Sequence, residues 1–314
     1  MSRMAHKAPR GGRSAVGTRA AVIGNRRDLS PSRVHLSFLR SLRSEMLKLT
    51  SLASTWIMTL IALVLQPFGA LTSAWSLRYM STIDQSSGKP LKTPAPIAMS
   101  EYWVAAGSGL ALASVVVGIM GVLCISAEFS SSSIDATLTS NPRRGTVLAA
   151  KAVCLAVLTW VTSQIGVLLA WASVQIILSA PGRIPLKASE ASIPWVNLLG
   201  GPIFLAVFAV MALGIGAMCR STVGGVMTVL GLVLIAPMLF GIIQAVSRYF
   251  VWVQSLSNIL PLNLLDYFLS GQTEPMPGQV GFVPLWWQAG LIMVAWTAVF
   301  YALGTLVMKR IDID

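Results

Sequence analysis

Charge is what this 314-residue sequence has least of: 11% of it is Asp, Glu, Lys or Arg, and only 11 residues are acidic. A water-soluble domain carries about a quarter charged residues, so the composition excludes an ordinary soluble globule. Histidine is nearly absent, and His6 and His35 both precede the first long apolar run. That removes the base or ligand set a hydrolase or metalloprotease would need inside the apolar segments. Cysteine is confined to Cys124, Cys154 and Cys219, an odd count without metal-ligand spacing, which reads as packing. No G-x-x-x-x-G-K-[ST] string occurs, and the nearest, Gly12 to Thr18, lacks the lysine. The chain is therefore expected to hold no metal or cofactor and to be no enzyme, so that any energy from ATP must come from a partner.

What is present is apolar. Hydrophobic residues make up 55% and mean hydropathy is +0.73. A bilayer core about 30 Å thick is crossed by about 20 apolar residues, and six runs meet that length, near 55–75, 102–127, 152–179, 196–218, 223–245 and 285–308. Trp56, Trp75, Trp103, Trp195, Trp286 and Trp287 stand at run ends, where amphipathic rings favour headgroup depth. The expected fold is an all-α membrane protein of six transmembrane helices.

The net charge of +12 is carried outside these runs, which points to a membrane surface and away from nucleic acid. With the N-terminus inside, 17 of the 23 Lys and Arg fall on the inner side, leaving Arg78, Lys89, Lys92, Arg183, Lys187 and Arg248 outside. The excess persists in the short segments near Arg143 and Arg220, so both termini are expected to face the cytoplasm and the membrane to be the plasma membrane. Residues 1–32, Arg-, Gly- and Ser-rich, read as a disordered basic tail. From 33 to 54 the pattern is helical: Leu36, Leu39, Leu42, Met46 and Leu49 share one face, and Arg33, Ser37, Arg40, Ser44 and Lys48 the other. Such a helix lies along the bilayer surface.

One further apolar stretch, Tyr249 to Leu269, competes as a seventh span. Ser257, Asn258, Pro261, Asn263 and Asp266 interrupt it, and counting it would move Lys309 and Arg310 outside. Short helices on the outer side, within 246–284, are expected instead.

No span carries a charge near its middle, although a charge there costs about 2.5–3.5 kcal/mol and is kept mainly for function. Ion-coupled transport lacks its usual carriers. Ala105, Gly109 and Ala113, Ser114 and Gly118, and Ala212 and Gly216 have the spacing of close helix packing. Gln66, Thr159, Ser163, Gln164 and Gln244 are the polar groups available to line a translocation path, with interhelical hydrogen bonding as the other use. Pro67 and Pro237 mark kinks.

The inner segment Glu128 to Lys151, EFSSSSIDATLTSNPRRGTVLAAK, reads as a short helix and a stop. Ser132 caps with Asp135 three residues on, Ile134 and Leu138 share a face, and Asn141-Pro142 ends the turn. Its simplest role is a loop whose Arg143 and Arg144 enforce topology.

Four features together resemble the permease subunits of type 2 ATP-binding-cassette (ABC) exporters. They are the amphipathic segment with Arg43, Glu45, Lys48 and Leu49 before a tryptophan-led span, the string Glu128-Phe129-Ser130-Ser131 through Ala136-Thr137-Leu138, the turn Pro142-Arg143-Arg144 leading to Ala149-Ala150-Lys151, and Leu260-Pro261-Leu262 before the last span. The resemblance implies an elbow helix at 33–54 and a coupling helix within 128–151 that seats on a separate ABC ATPase subunit. Glu128, Phe129, Ile134, Asp135, Leu138, Arg143 and Arg144 would form that contact. It also implies pairing with a second permease subunit, identical or not, and export of an amphipathic drug, peptide or lipid. Two other readings stay open: a non-transporting scaffold or sensor that works through its basic tail, and a secondary carrier.

Overall fold

A computed structural model describes residues 38–84, 86–130, 144–179, 182–246, 251–274 and 281–310. The basic tail lies outside the described residues. So do Ile134, Asp135, Leu138 and Arg143, and the side chain of Arg144.

The chain begins with α1 (Phe38–Ser51), breaks at Leu52, whose backbone is extended, and resumes as α2 (Ala53–Ser81). The break is closed locally: the Trp56 indole N–H donates to the Thr50 carbonyl at 2.8 Å, capping an orphan acceptor at the end of α1. The second span is α3 (Met99–Gly107) followed directly by α4 (Gly109–Ser130), and the third is α5 (Arg144–Ile177). The fourth runs through Ile193–Trp195 and a π-helical turn, Val196–Gly200, into α6 (Gly201–Cys219). The fifth joins α7 (Thr222–Leu230) to α8 (Ala236–Val246) through a second π-helical turn, Gly231–Ile235. After the short helices α9 (Val251–Asn258) and α10 (Pro261–Ser270), α11 (Trp286–Lys309) makes the sixth. Among the described residues six helices are thus long and apolar enough to cross a membrane, as the hydropathy pattern predicts. A two-residue parallel pairing, β1 (Ile97–Ala98) with β2 (Arg183–Ile184), ties two connecting loops together.

One boundary differs from expectation. The third helix starts at Arg144, not near 152, because Arg144 and Lys151 flank its first turns and lower their hydropathy. Its 34 residues, at about 1.5 Å each, give about 51 Å, well beyond the apolar core. The surplus projects at the end of the bundle that holds α1, called proximal below. The opposite end, with α9 and α10, is distal.

The region 251–270 forms two short helices and no span, and Ser257, Asn258 and Asn263, which interrupt it, are hydrogen-bonded. Asn258 Nδ2 donates to the Phe282 carbonyl at 2.8 Å, Asn263 Nδ2 to the Ser257 carbonyl at 2.8 Å, and the Tyr267 hydroxyl to Asn258 Oδ1 at 3.0 Å. Gly271 ends α10 with φ of 63°, and a Cβ there would sit 2.6 Å from Ile193 Cγ1.

The bundle is built around α6, which buries nearly its whole length against α4, α5 and α11. Small residues set the distances. A Cβ on Gly121 would lie 2.7 Å from the Ala209 carbonyl oxygen, and one on Gly304 2.6 Å from that of Gly214. Gly216 faces the Val122 backbone and Gly118 the Val229 side chain. Without a hydrophobic force between helices in lipid, such close approach and its dispersion contacts hold a bundle together. By contrast α8 buries none of its residues, and Leu291, Val294, Val299 and Leu306 of α11 are exposed. Trp56, Trp75, Trp195 and Trp287 are likewise exposed near span ends, the arrangement of interfacial anchors.

Candidate functional site

At the proximal end four charged side chains meet. Lys151 Nζ of α5 lies 2.6 Å from Glu45 Oε2 of α1 and 2.8 Å from Glu128 Oε1 of α4. Lys48 Nζ of α1 lies 3.0 Å from Glu45 Oε1 and 3.2 Å from the same Glu128 oxygen. The side chains of Glu45 and Lys151 are 3% and 4% exposed, and that of Glu128 14%, whereas Lys48 is 41% exposed. The cluster is therefore neutral overall, with a dry center and one wet edge.

Local sequence explains how each charge arrives. Glu45 and Lys48 stand three apart on α1, so they share a face. Glu128 is in the last turn of α4 and Lys151 near the start of α5, the two helices that enter and leave the segment 131–143. A lone carboxylate or ammonium in this setting would be strongly disfavoured, and the pairing with hydrogen bonds is what makes burial tolerable. Cys154 Sγ adds a weak bond to the Leu42 carbonyl at 3.4 Å. Mechanically, α1 is fastened to both flanks of 131–143, so a force applied to that segment is shared by α1, the second span and the third.

Of the residues the sequence nominates for coupling, Glu128 is in this cluster, and Phe129 packs against the main core one residue later. Glu45, Lys48 and Lys151 were not nominated. The helical pattern puts Lys48 on the polar face and leaves Glu45 unassigned, yet Glu45 is one of two buried residues of α1, while Leu39 and Leu47 are exposed. A signal was present: Glu45 is the sole acid between Asp28 and Asp84, set in a strongly basic segment.

Some of the polar residues inside the spans have structural partners. Gln66 is fully buried just before Pro67, its Nε2 donating to the Ala62 carbonyl at 3.1 Å. It is clasped by two glycines. A Cβ on Gly166 of α5 would meet its amide at 2.5 Å, and one on Gly109 of α4 would overlap its backbone. Thr159 and Ser163 of α5 are each 1% exposed. Gln164 Nε2 donates at 3.0 Å to the carbonyl of Leu198, within a π-helical turn, where the regular bonding is interrupted. Gln244 stands apart, half-buried on α8. Asn197, absent from the sequence-based set, is fully buried in the same π turn and donates to the Ile193 and Leu269 carbonyls at 2.9 and 2.8 Å. Gln66 Oε1, Thr159 Oγ1, Gln164 Oε1 and Asn197 Oδ1 are buried without a hydrogen-bond partner.

No group of His, Cys, Asp and Glu among the described residues has the placement to hold a metal ion. Comparison with protein-family models and with curated proteins finds no match for this chain.

Proposed function

We propose that this chain is the membrane permease subunit of an ATP-driven exporter of the type 2 ABC kind, moving an amphipathic drug, peptide or lipid with energy from a separate ATPase. What supports the reading is the proximal ion cluster: Glu45, Lys48, Glu128 and Lys151 clamp the amphipathic helix to both helices that bracket 131–143. A plain topogenic loop needs no such clamp, since its arginines act by charge alone. A segment that receives mechanical work does need one, because work is lost unless the receiving helix is rigidly joined to the spans it must move.

On this reading the proximal end is cytoplasmic, 131–143 contains the helix that seats on the ATPase through Ile134 and Leu138, and Arg143 and Arg144 keep it inside. A second six-span subunit completes the path, and both termini are cytoplasmic. Reconstitution in proteoliposomes with a co-expressed ATPase tests the reading: ATP-dependent efflux that requires both proteins is expected. Efflux by this chain alone, driven by an ion gradient with ATP depleted, would replace it with the carrier reading.

A further inference from the structure

The distal end holds a cavity of about 510 Å³ between the end of α2, the start of α3, the turn at 189–193 and the chain after α10. Sites for drug-sized ligands span about 300–1,000 Å³. Its apolar wall includes Leu77, Val104 and Ile193, and three carboxylates line it: Glu101, Glu190 and Glu274. The chain has only 11 acidic residues, so three on one cavity is a concentration of scarce charge.

No direct salt bridge to these carboxylates is formed among the described residues. Among the described residues no lysine or arginine lines the cavity. Arg183 and Arg78 are committed elsewhere. Arg183 lies over the Tyr102 ring, 5.1 Å from its centroid, and donates to Gln175 Oε1 at 2.9 Å. Arg78 Nη1 donates to the Ile177 carbonyl at 3.1 Å. Local roles account for part of the acidity: Glu101 is in the first turn of α3, where the helix dipole favours it, and Glu190 Oε2 accepts from the Lys187 backbone N–H at 3.1 Å. Neither role neutralises charge. Three like charges around a partly apolar wall create a negative potential at its mouth.

We propose that this distal cavity binds a small amphipathic organic cation, its apolar body against Leu77, Val104 and Ile193 and its charge among Glu101, Glu190 and Glu274. An inorganic cation would satisfy the carboxylates and leave the apolar wall wet, and a neutral apolar ligand would leave the charge unanswered. The inference does not rest on the exporter reading.

Tetraphenylphosphonium and tetraphenylborate, near-identical in shape and opposite in charge, are the probes. Equilibrium dialysis uses the full chain in phosphatidylcholine nanodiscs, with no ATPase or nucleotide present, against empty nanodiscs. Saturable binding of the phosphonium and none of the borate is expected, and the triple substitution E101Q/E190Q/E274Q is expected to weaken it about tenfold or more. Because Glu274 is exposed and makes no hydrogen bond among the described residues, Glu274→Lys gives a variant whose fold is not at stake, and it too should weaken binding. Unchanged phosphonium binding in both variants, or binding no greater than to empty nanodiscs, would overturn the proposal. Either result leaves the exporter reading untouched, since nothing in the assay depends on coupling.

Discussion

Lys151 Nζ and Glu45 Oε2 stand 2.6 Å apart, joined across 106 residues of sequence, with both side chains almost closed to solvent. Breaking such a pair from one side leaves a buried charge unanswered, which costs far more than removing both charges together. Lys151→Met is therefore expected to destabilise the protein by about 3 kcal/mol, and E45Q/K151M to recover much of that loss. Thermal unfolding in bicelles, completed as a double-mutant cycle, reads both numbers. Equal losses in the single and double variants would show that packing, not charge pairing, holds α1 in place.

Lys48 belongs to the same cluster but is 41% exposed. Its pairs are screened by water, so Lys48→Met should cost about 0–1 kcal/mol. Measured beside Lys151→Met, it separates the dry center of the cluster from its edge.

The clasp around Gln66 makes a graded expectation. At Gly109 an added methyl meets the Gln66 backbone, and at Gly166 it meets a side-chain amide that is free to shift. Overpacking of this kind costs about 1–3 kcal/mol, and Gly109→Ala should lie at the upper end, Gly166→Ala at the lower. Gln66→Ala should relieve Gly166→Ala but not Gly109→Ala. Melting temperatures of the wild type, the three single variants and the two double variants check the order.

Topology is open to a chemical test. In a background with Cys124, Cys154 and Cys219 replaced by alanine, single cysteines at Ser86 and Ser189, both exposed at the distal end, should label with a membrane-impermeant maleimide on whole cells. A cysteine at exposed Ser51 should label only after permeabilisation. The reverse pattern would invert the orientation read from the lysines and arginines.

The sequence made the spans legible because hydropathy and length act residue by residue, and the bilayer imposes both. The hairpin at 251–270 was legible for a related reason, since Asn258 and Asn263 cannot face lipid unpaired. What periodicity could not show was pairing at a distance. Glu45 looks like a stray acid in a basic helix until Lys151 is brought to it, and Lys48 sits on the polar face but has a stem long enough to reach inward. The early start of α5 was hidden because Arg144 and Lys151 suppress the hydropathy of helical residues that lie past the apolar core. From sequence Gln66 reads equally as lining a path or as bonding between helices; its glycine clasp stays hidden because it draws on three different helices.

If the basic tail were the working part, as in a scaffold or sensor, deletion of residues 2–30 would abolish function. The coupling reading expects the truncated chain to retain ATP-dependent transport, measured in the same proteoliposomes as the full chain.

The most direct measurement is ATP-driven efflux by the reconstituted complex carrying Ile134→Asp, with insertion and folding checked by size-exclusion profile. Loss of efflux and of permease-dependent ATP hydrolysis in a correctly inserted protein is the expected result. Normal coupling in that variant, or transport by this polypeptide with no ATPase present, would contradict the account.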